Sequence, residues 1–395
     1  MAEFDVSPEQ QELRAGLRRF CERQSDEATV RRLMESDAGY DRALWSRLGS
    51  ELGALALAVP EELGGAGAGL VDQAVAAEEL GAALFCGPVL GTIGLAIPAL
   101  VAAPAGAVRD ELLPALADGS RTAALVAPLF GPYGSGDGSR RGGQDAAATT
   151  IASTAASGER TTLSGTVEQV PDAAAADALL VVASSPEGPV LALAADGAAE
   201  VTPRGSLDLT RRHARVGFDG TPARVIATGD DADRAIRAAY LTGATLLAAE
   251  QVGIAQHLLD LTVAYAKERL QFGRPIGSFQ AVKHRCADML VATEHARTTA
   301  LHAAWVLEDP SLDEPELAVA MAQAVCSETG YRVAADTVQM HGGIGFTWEH
   351  PAHLYYKRAV ADAALLGSAE TYREVVATKA LDGAGNVPEP VVAGG

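Results

Sequence analysis

Positive charge is scarce in this chain: 31 Lys and Arg stand against 51 Asp and Glu over 395 residues, a formal charge of −20. So acidic a surface cannot neutralise a row of phosphates, which excludes nucleic-acid binding as the main role. Cysteine is also sparse. Cys21, Cys86, Cys286 and Cys326 fit neither the spacing of a metal knuckle nor a disulfide framework, so each reads as a small buried hydrophobe in a reducing compartment. The opening MAEFDVSPEQQELR lacks the basic start, apolar core and small-residue cleavage site of a secretory signal, and a cytoplasmic location is expected. Disorder is excluded as well, because 48% of the residues are apolar and supply surface to bury against the entropy cost of folding.

One run raises the question of a membrane. Leu80 to Val108 carries no charged residue, and that length can cross a bilayer. It also contains Pro88, Pro98 and Pro104 and several glycines, which break a spanning helix repeatedly. Two buried helices joined by a turn are predicted instead, with no membrane span.

Three textures follow one another along the chain. Ser7 as N-cap, Pro8 at the first helical position and Gln10 three residues on precede Leu13, Leu17 and Phe20 at helical spacing, predicting a helix over Ser7 to Gln24. Further helices are predicted from Tyr40 to Leu55 and from Leu70 to Leu84, separated by PEELGGAGAG, so residues 1–118 form a helical domain. Residues 119–230 contain short β-rich pieces such as ALLVVA and PVLALAA between Gly, Pro and Asp turns, the pattern of a small sheet domain. Within them, Gly131 to Asp145 is Gly- and Ser-rich and is expected to be a mobile loop; without a following G-K-[ST] it is no phosphate cradle. Residues 231–382 predict long helices over Asp231 to Arg269, Ser278 to Glu308, Glu314 to Met340 and His350 to Leu381, each roughly 40 to 55 Å long. Short connections make these an antiparallel four-helix bundle, and residues 383–395 a flexible tail.

Two segments carry more than packing. In YAKERLQFGRPIGSFQAVKHRCADM, Arg269, Gln271 and Phe272 stand at a helix end and Phe279 and Gln280 open the next helix. A guanidinium, an aromatic face and amides within one tight corner suit a dinucleotide's pyrophosphate and adenine. A plain packing role serves equally well: Arg269 capping a helix dipole and Phe272 stapling the turn. In VQMHGGIGFTWEHPAHLYYKR, a helix stops at His341-Gly342-Gly343, and paired glycines let a ligand approach the backbone. His341, His350 and His353 lack the spacing and carboxylates of a metal site, and none is expected.

With ERLQFGRPIGSFQAVKHRCADM and QMHGGIGFTWEHPAHLYYKR in order behind a helical and a β segment, the chain resembles the acyl-CoA dehydrogenase family over nearly its whole length. The resemblance is strongest in the last 150 residues. It implies an N-terminal all-helical domain, a central β-sheet domain and a C-terminal four-helix bundle. The implied chemistry is FAD-dependent α,β-dehydrogenation of an acyl thioester of coenzyme A or an acyl carrier protein. The implied partners are other acyl-CoA dehydrogenase subunits, in a homo- or hetero-oligomer such as a tetramer, and an acceptor such as electron transfer flavoprotein. By resemblance, Arg269, Gln271, Phe272, Phe279, Gln280, Gln339, Gly342 and Gly343 approach the pyrophosphate and adenine of FAD across a subunit interface.

That chemistry requires a carboxylate at the substrate Cα. The family commonly supplies it as Tyr-Glu-Gly-Thr some nine residues after an Arg; counting from Arg358 gives Leu366 or Gly367. An alternative family position in the first bundle helix falls within Leu241 to Thr245, again without an acid. Among the remaining carboxylates, Glu370 is a weak candidate one helical turn beyond Gly367. Glu250 is a buried acid too far along its helix, and Asp362 reads as a helix-surface residue. The family's Thr-Glu-Pro and Lys-x-Trp-Ile-Thr elements are also replaced, by VAPLFGPYGSGDG and GTVEQVPDA. The expectation is a non-catalytic subunit of a heteromeric enzyme; the alternatives are a self-sufficient homotetramer and a flavin-binding scaffold.

Overall fold

The structure is a computed structural model describing residues 6–127, 151–154 and 159–384. The segment from Gly131 to Asp145 and most of the tail lie outside the described residues.

Six helices come first: α1 (Pro8–Gln24), α2 (Glu27–Glu35), α3 (Arg42–Ser50), α4 (Leu70–Ala82), α5 (Ile97–Ala102) and α6 (Ala107–Ala117). The start of α1 is the predicted capping box: Gln10 N–H donates to Ser7 Oγ at 3.2 Å and Ser7 N–H to Gln10 Oε1 at 3.0 Å. The charge-free run differs from expectation. After α4 it turns, and Val89–Ala96 forms a π-helical stretch leading directly into α5. Pro98, inside the first turn of α5, has no N–H to give the preceding turn. Among the described residues no helix is long and apolar enough to cross a membrane.

Among the described residues seven strands follow: β1 (Ala123–Val126), β2 (Ala152–Ser153), β3 (Arg160–Pro171), β4 (Ala178–Ser185), β5 (Gly188–Ala194), β6 (Glu200–Arg204) and β7 (His213–Thr228). β4, β5, β7, β3 and β2 pair in that order and β2 returns to β4, so the sheet closes on itself; β1 lies parallel to β4 and β6 antiparallel to β7. Closure leaves those strands no free edge, and Val126, Leu163, Val167, Val181, Val216 and Phe218 fill the interior.

The C-terminal part contains α7 (Gly229–Glu268), a two-residue ribbon β8 (Leu270–Gln271) and β9 (Arg274–Pro275), α8 (Gln280–Glu308), α9 (Pro315–His341), α10 (Ala352–Asp362) and α11 (Ala369–Ala384). The fourth long helix is thus corrected to two. Leu366 and Gly367 both adopt positive φ, +58° and +118°, which interrupts the helical ladder between α10 and α11. α7 and α9 run parallel: Gln323 Nε2 donates to the Ala244 carbonyl, and Thr262 Oγ1 lies 3.1 Å from Thr337 Oγ1. The ends of both helices therefore sit at one end of the bundle.

Two buried ionic clusters tie these parts together. In the first, Arg14 and Arg18 on α1 and Arg297 on α8 hold Glu78 and Glu79 on α4. In the second, Glu250 on α7 accepts from Arg211 at 2.7 and 2.9 Å and from Arg358 on α10 at 2.5 Å. Arg211 also donates to Asp362 Oδ1 at 2.9 Å, and Arg358 meets Asp208 at 2.6 Å and Thr210 Oγ1 at 2.6 Å. Asp362 is fully buried, not on the helix surface as the sequence suggested.

Charge balance explains how this second cluster survives burial. Two arginines hold Glu250 below the usual carboxylate range although burial works the other way. Burial and the neighbouring Glu250 charge push Asp362 well above that range, with Arg211 and Arg358 pulling the other way. Replacing Glu250 by Leu leaves Arg211 and Arg358 buried beside one another without their shared carboxylate. We expect a loss of about 3–5 kcal/mol, read as a lower urea midpoint, whereas Glu328→Ala, which removes the exposed partner of Arg373, should leave the midpoint unchanged.

Candidate functional site

The end of the bundle where α7 and α9 stop gathers both informative motifs. Tyr265, in the last turn of α7, stacks on His341, the last residue of α9, with ring centroids 4.4 Å apart. Beyond Tyr265 the chain turns at Arg269 and forms the β8–β9 ribbon, whose corner holds Phe272 and Gly273 at φ +52° and +75°. The Arg269 carbonyl accepts from Ile276 N–H at 2.8 Å, closing the corner. Gln280 begins α8 immediately afterwards.

The predicted residues are brought together as a surface and not as a closed pocket. Arg269, Gln271, Phe272, Gln280, Gln339, Gly342 and Gly343 are exposed; only Phe279 is half-buried. Phe279 is held edge-on by Phe272 at 6.1 Å and covered by the Arg274 guanidinium at 4.1 Å, so it supports the corner while Phe272, 91% exposed, projects from it. Arg269, Gln280 and Gln339 have no side-chain partner among the described residues. Gly342 has φ +61° and ψ −143°, a conformation that favours glycine, and a Cβ on Gly342 or Gly343 would meet nothing within 4 Å. An uncommitted guanidinium, free amides, an open glycine turn and an exposed aromatic face form a donor set that fits the pyrophosphate and adenine of FAD.

Sequence reasoning missed the support beneath this surface. His341 Nδ1 bonds the Thr337 carbonyl at 2.8 Å, His350 packs on His341 at 4.4 Å, Trp348 and His353 meet edge to face, and Lys357 lies over the Trp348 ring. The histidines are therefore rings in a packed base. No group of three or more potential metal ligands occurs among the described residues. Burial lowers the pKa of His341 and His350, and burial together with Lys357 lowers that of His353 to about 4.

The two positions where a base is expected are very different. Leu366 is 0% exposed and joins Leu90, Leu95, Leu241 and Ala244 in one apolar cluster. Its carbonyl accepts from Tyr372 at 2.5 Å. A Cβ on Gly243 would lie 2.6 Å from Leu95 Cδ2 and 3.1 Å from the Gly94 carbonyl. A side chain at 243 would have to move the end of the Leu95 side chain and press on the Gly94 carbonyl. Glu370 stands exposed in the first turn of α11. The Leu366–Gly367 turn interrupts the helix that would have stacked Glu370 one turn beyond Gly367, and Arg373 pairs with Glu328, not with Glu370.

Comparison with known proteins agrees with this architecture. Residues 7–120 match the family model for the acyl-CoA dehydrogenase N-terminal domain, and residues 234–381 that for the acyl-CoA dehydrogenase C-terminal domain. Acyl-CoA dehydrogenase IpdE2 of Mycolicibacterium smegmatis is 38% identical over 92% of this chain and 96% of its own length. Among solved structures, a variant of the Tcur3481–Tcur3483 steroid ACAD superposes with a TM-score of 0.83 at 30% identity, covering 97% of this chain and all of that one. The ChsE4–ChsE5 complex from Mycobacterium tuberculosis gives 0.82 at 28% identity, covering 98% and 100%.

The histidine base makes the surface sensitive to acid. These imidazoles are neutral when folded, and their pKa values lie below the unfolded value of 6.5. Their contribution is therefore complete above about pH 6.5 and is lost as pH falls toward about 4, the value for His353. Amide hydrogen exchange of the turn around Gly342 should accelerate across that window, and His353→Phe should reduce the acceleration.

Proposed function

The chain belongs to the acyl-CoA dehydrogenase family, and on that premise we propose that it serves FAD-dependent α,β-dehydrogenation of an acyl thioester as the non-catalytic subunit of a heteromeric enzyme. One contrast carries this reading. The bundle end presents an open donor surface, while neither expected base position, Leu366 or Gly367 nor the run from Leu241 to Thr245, holds an acid, and Leu366 is packed in the apolar core.

The division of labour follows from what each group can do. FAD, when bound, accepts the hydride that leaves the substrate Cβ. Removal of the Cα proton needs a carboxylate within hydrogen-bond reach, which the partner supplies. In this chain Arg269 would pair with the pyrophosphate through its fixed fork of donors, the turn at Gly342 and Gly343 would bring backbone N–H groups up to it, and Phe272 would offer a face to adenine. Gln271, Gln280 and Gln339 would add amide donors and acceptors. The partner for reoxidation would be an acceptor such as electron transfer flavoprotein. The likeness to the ChsE4–ChsE5 complex supports the heteromeric form, and the likeness to a steroid ACAD supports a bulky, ring-bearing acyl group.

Expression alone and with a dehydrogenase homologue encoded nearby tests the reading. The co-expressed pair should hold FAD and oxidise a ring-bearing acyl-CoA, and the lone chain should do neither. Full flavin occupancy and turnover by the lone chain would sink the partner-subunit assignment. Flavin binding by the pair with no bleaching on acyl-CoA addition would leave a scaffold role instead. In the pair, Arg269→Ala is expected to weaken FAD at least tenfold, read from flavin fluorescence on dilution. Glu370→Gln should leave the rate of flavin reduction unchanged; abolition of reduction with FAD still bound would make Glu370 the base.

A further inference from the structure

One buried carboxylate takes no part in the bundle-end surface or in the ion pairs. Asp172 follows β3, is 2% exposed and adopts φ +60°, a left-handed conformation that few residues with a side chain take. Two bonds hold it there. Its N–H donates to the Arg212 carbonyl at 2.6 Å, and its Oδ2 accepts from the Gly91 N–H at 2.8 Å. Gly91 lies in the first turn of the π-helical stretch, where backbone N–H groups have no partner within the helix. A Cβ on Gly91 would stand 2.9 Å from Asp172 Cβ, so glycine at this position allows the close approach. Thr92 adds a second tie to the sheet: its hydroxyl donates to the Ala123 carbonyl at 2.8 Å and accepts from the Ala123 N–H at 3.0 Å. The sheet thus holds the stretch whose Leu90 and Leu95 pack with Leu241, Ala244 and Leu366.

The charges around this carboxyl do not pair with it. Arg211 faces it from the connection into β7, Arg358 from α10 and Glu250 from α7. Both guanidiniums are engaged elsewhere, Arg211 by Glu250 and Asp362, and Arg358 by Glu250 and Asp208. No cation lies within ion-pair distance of Asp172 among the described residues. Ionised in place, Asp172 is a buried anion with one hydrogen bond; protonated, it keeps that bond without the cost of a buried charge. Burial accordingly pushes its pKa up from 3.8 to about 6, against the pull of Arg211.

We propose that Asp172 is a proton-linked clasp on the π-helical stretch: protonated, it holds Gly91 against the sheet, and ionised, it favours an opened stretch in which water reaches the carboxylate and the packing of Leu90 and Leu95 loosens. The sign follows from linkage. The closed form binds the proton more tightly than the opened one, so its advantage is complete below 3.8 and declines as pH rises through about 6.

Amide hydrogen exchange of Gly91 to Ala96 in the full-length chain, corrected for the intrinsic effect of pH on exchange, reads this opening. With 3.8 for the opened form and about 6 for the closed one, opening should increase about tenfold between about pH 5 and about pH 8. Asp172→Asn, a neutral isostere that also tolerates the left-handed conformation, should abolish the slope. Neighbouring titrations separate by sign and by place. His213, lowered to about 4 by burial and Arg211, protects more as pH rises, the opposite slope. Asp362, raised by burial and Glu250, gives a slope of the same sign but stands on α10. The wild-type slope therefore decides even where the Asn variant does not fold. A slope that is absent or reversed at Gly91 to Ala96, one that appears only on α10, or one that persists in Asp172→Asn would each overturn the proposal.

Discussion

The fold depends on one buried carboxylate. Glu250 sits midway along a 40-residue helix, and the two guanidiniums it holds come from different parts of the chain: Arg211 from the connection into the last strand of the sheet, Arg358 from α10. Removing three ionised side chains from water costs several kcal/mol each, and only mutual pairing with good geometry offsets it. That requirement leaves one relative placement of sheet, first bundle helix and final helices.

From that placement follow the two contrasting ends of the bundle. The interior between α7, the π-helical stretch and the Leu366 turn is tightly filled, with Gly94 and Gly243 allowing backbones to approach and Leu95 occupying the space a larger residue at 243 would need. At the far end, the parallel ends of α7 and α9 project their loops outward on a base of stacked histidine and tyrosine rings. Packing has filled the region around Leu366 and left open the donor surface at the bundle end. Apolar side chains at that open end, Leu270, Phe272, Ile344, Phe346 and Trp348, remain exposed, as a surface built for contact with another molecule requires.

Much of this was legible before any coordinates. The capping box at Ser7 is local chemistry, and the succession of helical, β and helical textures follows from periodicity and turn residues. Arg269, Gln280 and Gly342 stand out because a corner and a glycine stop are themselves local events. Asp362 was misread, and the fourth helix drawn through Leu366, for a common reason. A helical pattern of Ala, Leu and Asp looks the same whether the acid faces water or a buried arginine, and the break depends on two positive-φ residues, one of them a leucine that local preference disfavours.

Sequence alone determined most of the elements, the acidic balance, the corner and glycine motifs, and the absence of an acid at Leu366 or Gly367 and within Leu241 to Thr245, because each is a property of residue type and short-range spacing. Tertiary structure decided that position 243 packs against Leu95, that Leu366 is core, that Glu370 stands outside on a separate helix, and that residues from five helices line one cavity. Those are distances between residues as far apart in the chain as Arg18 and Tyr355, and hydrophobic burial and ion pairing set them only once the helices have packed.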